Sequence, residues 1–392
     1  MFQSLPAPAA DPILHVMMMY REDTRAEKVD LGLGVYKDPQ GATPVMRAVK
    51  AAEQRLVDEQ DTKSYTTLSG DPAFRAAVAG LVLGDAVPAA RLAGSTTTGG
   101  TAGVKLGMDL IHAASPGSTI WISTPTWPNH YALAKAASTA FKTYRYYDAE
   151  TGTIDRAGMW ADLDAAQPGD VLLLHGCCHN PTGADLSADD WAAVAAFCQA
   201  KGVMPFIDIA YQGFGDGLDE DAAGLRTLAR QMERMIVVSS ASKNFGLYRD
   251  RAGCCLVICP EGERALVQGT LEVLNRQSIS FPPDHGARVV TEILSDPALR
   301  AQWDDELTEM RDRMNRLRRL LATALRDACG SDRFGFLADQ RGMFSILGGS
   351  EAQITRLREE FGVYIVGGGR LNMAGLTEQS IPRVAKAIAT VL

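Results

Sequence analysis

The strongest constraint in this sequence is an alternation of short apolar or aromatic runs with amphipathic helical stretches. The runs are Thr119–Ser123, Lys142–Tyr147, Val171–His175, Met204–Ile209, Met235–Ser239 and Cys254–Ile258, and they end in Gly- or Pro-rich turns. Runs this short are strands rather than helices, and continuous apolar character marks strands covered on both faces. Strands alternating with helices make an α/β fold, a mostly parallel central sheet covered by helices. The helix candidates include Ala102–Ala113 and Ala188–Lys201. Ser187 and Asp190 form a capping box for the second, and Gly202 is its stop. A long helix is expected around Trp303–Ala328, where Leu307, Met310, Met314, Leu317 and Leu321 recur at 3–4 spacing. The arginines on its other faces read as a solvated surface. A last helix is expected over Ser380–Leu392.

At roughly 100–200 residues per domain, 392 residues suggest two or three domains. Residues 1–12 are Pro- and Ala-rich and read as an N-terminal arm. Residues 45–310 read as a large α/β domain, and residues 13–44 plus 311–392 as a smaller α/β domain built from both chain ends. The net charge of −8 argues against a general nucleic-acid binder, which needs a basic face. No apolar run approaches the roughly 18 residues of a membrane span. MFQSLPAPAADPIL carries no Lys or Arg and is a poor signal peptide, so a cytoplasmic location is expected. Seven cysteines, with Cys177–Cys178 and Cys254–Cys255 adjacent, do not resemble a disulfide framework.

Ligands of open α/β sheets bind at the carboxyl ends of the strands. Lys243 lies just past the Met235–Ser239 run, among small residues. It is either a solvated loop lysine or a desolvated amine of lowered pKa, nucleophilic toward carbonyls. Asp208 sits inside the apolar Met204–Ile209 run, where a carboxylate is costly unless paired. It is a structural turn residue or the partner of a cation such as a pyridinium nitrogen, with Tyr211 three residues on as a hydroxyl donor. Asn180-Pro181 reads as a turn that holds a side-chain amide. Cys177, Cys178 and His179 invite a zinc reading. However, adjacent cysteines in a strand point to opposite sides, and no CxxC pair completes a site, so no metal is expected. Thr98-Gly99-Gly100-Thr101-Ala102-Gly103 opens a helix and suits a phosphate, to which Arg251 adds bidentate charge. Trp127 either stacks on a flat ring or packs in the core. A lysine amine, a buried Asp, a Tyr hydroxyl, a stacking Trp and a Gly/Ser/Arg phosphate cradle jointly match pyridoxal 5′-phosphate.

At this point the sequence resembles the aspartate/aromatic aminotransferase family, subgroup I of the fold-type I pyridoxal-phosphate enzymes. The matching stretches run nearly the whole chain: LGLGVYKD (31–38), TGGTAG (98–103), PTWPNHY (125–131), HGCCHNPTG (175–183), DIAYQGFGDGL (208–218), SASKNFGLYRDRAG (240–253), SFPPDHGA (280–287), RGMFS (341–345) and EEFGVY (359–364). The resemblance implies that Lys243 is the Schiff-base lysine and shuttles the proton. It implies that Asp208, supported by His130, pairs with the ring nitrogen, and that Asn180 and Tyr211 bond the ring's phenolic oxygen. Trp127 would stack on the ring. Gly100, Thr101, Ser240 and Arg251 would hold the phosphate, which Tyr65 reaches from the neighbouring subunit of a homodimer. Arg370 would grip the substrate α-carboxylate beside Gly34. Arg276 would cross the interface to a side-chain carboxylate, so aspartate, glutamate and their 2-oxo acids are implied substrates.

Phe281, LNRQ…SFPP and GSDRFGF resemble the aromatic-amino-acid members. Val35, Lys37, Thr43 and Thr101 resemble the aspartate-preferring ones. The expected reaction is transamination between aromatic or dicarboxylic amino acids and 2-oxo acids such as 2-oxoglutarate. A dedicated aspartate aminotransferase is the alternative, and a non-catalytic protein of the same fold is the reading from another class.

Overall fold

The structure, a computed structural model, describes residues 2–5 and 12–392. Most of the expected N-terminal arm therefore lies outside the described residues. Seven strands form the central sheet: β1 (Leu92–Thr98), β2 (Thr119–Thr124), β3 (Ala140–Arg145), β4 (Val171–His175), β5 (Met204–Ile209), β6 (Met235–Ser240) and β7 (Ala252–Ile258). Their order across the sheet is β1-β7-β6-β5-β4-β2-β3. Every pairing is parallel except the two made by β7, which runs antiparallel to β1 and β6.

The inner strands are buried on both faces, which is why β2, β4, β5, β6 and β7 read as continuous apolar runs. Trp121, Leu172, Leu174, Ile207, Ile209 and Val237 face one core. Their neighbours Ile120, Ile122, Val171, Leu173, Phe206 and Ile236 face another, under helix α1 (Gly99–Ala114). This is the two-residue alternation of a strand written twice, once for each face. Helix α2 (Ala188–Lys201) has the expected capping box, with Ser187 accepting from the Asp190 amide and Gly202 left-handed behind it.

Two strands depart from the sequence expectation. β1 was not foreseen, because LAGSTTT carries hydroxyls where a core strand usually carries Val or Ile. Helix α3 (Arg264–Ser278) covers it and supplies its polar partners: Asn275 Nδ2 donates to Ser95 Oγ, and the Gly94 amide donates to Gln268 Oε1 at 3.0 Å. The edge strand expected at Lys142–Tyr147 is β3, starting at Ala140 opposite Thr119. Tyr146, just past its end, donates its amide to Thr124 O at 3.1 Å and its hydroxyl to Ala184 O at 2.8 Å.

Helix α4 (Pro297–Cys329) joins two cores. Asp296 caps it by accepting from the Ala298 and Leu299 amides, Pro297 starts it, and left-handed Gly330 ends it. Leu299, Trp303, Leu307, Met310 and Met314 pack on the central core. Leu317, Leu321 and Leu325 enter a separate core with Val29, Leu31, Ile354, Val384 and Ile388, drawn from both chain ends. The arginines of α4 are not all a solvated surface. Arg318 is fully buried, and half-buried Arg313 donates to Lys37 O and Leu376 O. An arginine can enter a core when carbonyl oxygens surround its guanidinium, and residue type alone does not reveal that.

Candidate active site

The parallel strands β2, β4, β5 and β6 deliver their carboxyl ends to one place, beside the amino end of α1. Antiparallel β7 begins where these end: Ala252 lies opposite Thr98, and Gly253 opposite Ser240. Arg251, the residue before β7, is therefore brought to the start of α1. Its backbone is left-handed, with φ at 57°. A Cβ on Gly99 would lie 2.5 Å from Arg251 Nη2, so only glycine lets the guanidinium approach there.

One cavity collects Gly34, Gly100, Thr101, Trp127, Asn180, Asp208, Tyr211, Ser240, Lys243 and Arg251. These are sequence candidates from six separate segments. The half-buried Lys243 opens onto this cavity with Nζ 5.1 Å from the Tyr211 ring centroid. Burial pushes its ammonium pKa down, Asp208 pulls it back up, and Arg251 pushes it down again; the net shift is downward. The lysine is thus poised to be a neutral amine more often than a surface lysine is. Trp303 anchors its loop from behind. The indole N–H donates to Asn244 O at 2.7 Å, and the ring stacks on Phe245 at 4.4 Å. Tyr211 is buried, and burial raises its hydroxyl well above the usual tyrosine range, so it stays a donor.

Asp208 is held by a relay that the sequence only partly foretold. The Asn180 amide donates to His175 Nδ1 at 3.4 Å, which leaves the His175 ring proton on Nε2. Burial lowers the His175 pKa to about 3, so the ring is neutral. Nε2 donates to Thr126 Oγ1 at 3.0 Å. The Thr126 hydroxyl proton then goes to His130 Nδ1 at 2.8 Å, and His130 donates from Nε2 to Asp208 Oδ2 at 3.1 Å. Burial alone would raise the Asp208 carboxyl. The His130 hydrogen bond and the charges nearby, Lys243 among them, outweigh it, and the net shift is downward, toward a carboxylate. Asp208→Asn is expected to lower kcat by about 10²–10³-fold. Steady-state kinetics checks this, and a loss of less than about tenfold would mean that the charge is not used.

A second cluster of polar groups gathers around Arg251. Arg251 Nη1 donates to Ser242 Oγ at 3.2 Å and to Tyr248 O at 3.1 Å. The Ser242 amide donates to Ser240 Oγ at 3.3 Å. Ser242, Tyr248, His175 and Cys177 also line the cavity, although sequence reasoning gave them no role. Their signal was membership of the 175–183 and 240–253 stretches that carry the family resemblance. Trp127 is half-buried, edge-on to His130 at 5.2 Å.

Three candidates stand outside the cavity. Arg370 is buried beside it; Nη2 donates to Gly32 O at 2.8 Å, and the guanidinium lies 4.5 Å from the Phe344 ring centroid. Tyr65 is 83% exposed and stacks on Phe281 at 4.6 Å. Arg276 is also exposed, 5.8 Å from that Phe281 ring.

The cysteine geometry corrects an expectation. Cys177 and Cys178 follow β4 in a turn, with Cys178 left-handed at φ 50°, so their sulfurs do not point to opposite sides. They lie with an Asp221 oxygen within 4.8 Å of one another. Both thiols are pushed up, Cys177 chiefly by its contact with Cys178 and Cys178 by burial to about 12, and so stay protonated. The Asp221 oxygens already accept from the amides of Gly213, Gly215 and Asp216.

Residues 26–388 match the family described as aminotransferase class I and II. The chain belongs to this family. Among aminotransferases it is 50% identical to the aromatic-amino-acid aminotransferase of Paracoccus denitrificans, with both chains covered completely. It is 43% identical to the aspartate aminotransferase of Escherichia coli (strain K12), again over both full chains. The solved aromatic-amino-acid aminotransferase of Burkholderia pseudomallei, covalently bound to pyridoxal phosphate, superposes with a TM-score of 0.97 at 41% identity. That alignment covers all of this chain and 99% of the other. The fold is therefore that of the fold-type I aminotransferases.

The aminotransferase cofactor can be tested against the residues present. Asn180 Oδ1 and Asp208 Oδ1 are buried and have no hydrogen-bond partner within the chain. Buried polar atoms are rarely left so, and both belong to residues lining the cavity. A Cβ on Gly100 would meet the Ser240 Cβ at 3.1 Å, so glycine keeps the floor of the donor cluster open. A flat ring with a protonated nitrogen to donate to Asp208, a hydroxyl to donate to Asn180 Oδ1 and a phosphate answers these features, and pyridoxal 5′-phosphate fits.

Proposed function

We propose that the protein is a pyridoxal-phosphate-dependent transaminase. It transfers the amino group between aromatic (Tyr, Phe, Trp) or dicarboxylic (Asp, Glu) amino acids and 2-oxo acids such as 2-oxoglutarate. The observation that carries this is the Lys243 amine in one cavity with the orphaned oxygens of Asn180 and Asp208. The relatives named for aromatic and for aspartate substrates support both substrate classes.

Bound pyridoxal phosphate supplies an electron sink for the pair released at the substrate Cα. The protein's part is positioning and proton transfer. Asp208, with its charge maintained through His130, pairs with the ring nitrogen. Asn180 and Tyr211 take the ring oxygen, Trp127 covers the ring face, and Gly100, Thr101, Ser240 and Arg251 take the phosphate. Arg370, beside Gly34, receives the α-carboxylate. Lys243 Nζ would hold the cofactor in the resting enzyme and, once released by the substrate amine, would accept the Cα proton and pass it to the cofactor's C4′.

The reading includes a homodimer. Tyr65 and Arg276 stand outside their own cavity, and the outward face of α3 exposes Leu266 and Val273. Two-fold pairing would bring Tyr65 to the partner's phosphate end and Arg276 to its substrate side chain. Residues 45–310 are taken as the cofactor-binding domain and residues 13–44 plus 311–392 as the smaller one, on the support of the separate core at the chain ends. A cytoplasmic location is supported by seven free cysteines, and among the described residues no helix is long and apolar enough to cross a membrane.

The test is the half-reaction. The pyridoxal form is mixed with aspartate, and separately with phenylalanine and tyrosine, while cofactor absorbance is followed. Conversion to the pyridoxamine form by both classes at comparable rate/affinity ratios is expected. Preference for aspartate by several decades would make the enzyme a dedicated aspartate aminotransferase. No spectral change with either class would overturn the reaction.

A further inference from the structure

The RGMFS stretch (341–345) has no role in the account above, yet the most deeply buried cation of α4 is devoted to it. Arg318 is 0% exposed and, among the described residues, forms no ion pair with a carboxylate. Its guanidinium meets oxygens of the 341–345 loop instead, apart from one long bond of Nη1 to Leu337 O at 3.5 Å. Nη2 donates to Gly342 O at 2.7 Å, to Phe344 O at 2.6 Å and to Arg341 O at 3.2 Å. Nη1 donates to Ser345 Oγ at 2.6 Å, and Nε to Gly342 O at 3.2 Å. Ser345 in turn donates to Gln340 Oε1 at 2.6 Å. A charge buried this way costs desolvation. A planar fork of five donors can hold several carbonyls spread across one plane; a lysine offers three donors from a single point and an apolar isostere none.

The loop that it grips leads to the substrate-carboxylate end of the cavity. Strand β8 (Phe344–Ile346) pairs antiparallel with β9 (Arg370–Asn372), with Ile346 opposite Arg370. The Phe344 ring lies 4.5 Å from the Arg370 guanidinium and edge-on to Tyr211 at 6.2 Å. A Cβ on Gly34 would reach that ring at 3.0 Å. On its other side the loop is locked to the turn that carries Asn180. The Arg341 amide donates to Gly183 O at 2.8 Å, and a Cβ on Gly183 would lie 2.5 Å from Phe344 O. Arg370 therefore receives both its strand partner and the aromatic face beneath its guanidinium from the segment that Arg318 holds.

We propose that Arg318 is a positioning residue for the carboxylate grip, fixing the 341–345 loop so that Phe344 and β8 set the guanidinium of Arg370. This rests on the reading of Arg370 as the α-carboxylate receptor. The test uses the holoenzyme and succinate, a dicarboxylate with no amino group to react. Calorimetric titration of the parent, Arg318→Met, Phe344→Leu, Arg370→Lys and the Arg318→Met/Arg370→Lys pair gives a double-mutant cycle. Arg318→Met and Phe344→Leu are each expected to weaken succinate by about tenfold, with no further loss when Arg318→Met is added to Arg370→Lys. The KM for aspartate should rise more than kcat falls, and cofactor content and its absorbance should match the parent.

Parent-like succinate binding in Arg318→Met, additive losses in the cycle, or cofactor loss in step with succinate loss would each overturn the proposal. If Arg318→Met does not fold, Phe344→Leu decides alone, and parent-like affinity there overturns it. A parent that binds no succinate would remove the carboxylate grip itself, and the positioning role with it.

Discussion

Lys243→Ala is expected to abolish turnover, lowering kcat by at least about four decades, while the protein still folds and still retains cofactor. The expectation follows from what the side chain does and what holds its loop. The amine alone in this cavity is both nucleophilic and able to take up a proton, because burial and Arg251 together lower its pKa more than Asp208 restores it. The loop does not depend on the amine. It is fastened by the Trp303 bond to Asn244 O and by the stacking of Phe245 on Trp303. Ring and phosphate partners also remain in place, so the cofactor keeps its non-covalent contacts.

The measurements are steady-state turnover, cofactor retained after desalting, and the melting temperature. Turnover within about tenfold of the parent would remove Lys243 from the chemistry. Loss of fold would show that the residue is structural. In the cofactor-free protein the Lys243 ammonium should lose its proton below the ordinary lysine value, because the net shift is downward; the pH dependence of its modification by an amine reagent checks this.

Arg276→Ala is expected to produce the second largest effect, and a selective one. In the proposed dimer the guanidinium meets the side-chain carboxylate of a dicarboxylic substrate out of bulk water. Removing one partner of such a pair costs about 3–5 kcal/mol, or about two to three and a half decades in kcat/KM for aspartate. Phenylalanine brings no charge, so its kcat/KM should change little or improve. A buried arginine facing a phenyl ring without a counter-ion would incur a similar penalty, so the parent must move the guanidinium aside for aromatic substrates. The structure shows it exposed, bonded to Ser280 Oγ and near the face of Phe281. Comparing kcat/KM for the two amino acids in parent and variant checks this. Equal losses would mean that Arg276 is misassigned.

The chemistry of the site was legible where a residue violates its local pattern. Asp208 breaks an apolar strand, Lys243 follows one, and Gly99-Gly100 opens a helix that would be stronger without glycine. Each such breach has a local cost that a ligand can offset, and this makes it visible in one dimension. β1 was invisible for the converse reason. Its Ser and Thr residues look like a loop; the Ser95 hydroxyl is met by an α3 side chain 180 positions away, and Gln268 of α3 takes the Gly94 amide. Arg318 was misread because helix periodicity marks Leu317 and Leu321 as buried but says nothing of carbonyls arriving from 23–26 residues further on.

By itself, the sequence determined the central-sheet strands other than β1, the order of motifs and the set of functional groups, because hydrophobic period and turn chemistry act over a few residues. Only the tertiary structure decided which atoms meet. It set the direction of β7 that brings Arg251 to Gly99, and the amide that orients His175 and, through Thr126, the proton on His130. It turned Cys177 and Cys178 toward the same place, and it moved Tyr65 and Arg276 away from their own cavity. Those outcomes depend on hydrogen-bond partners and excluded volume supplied by distant segments, and no local pattern encodes them.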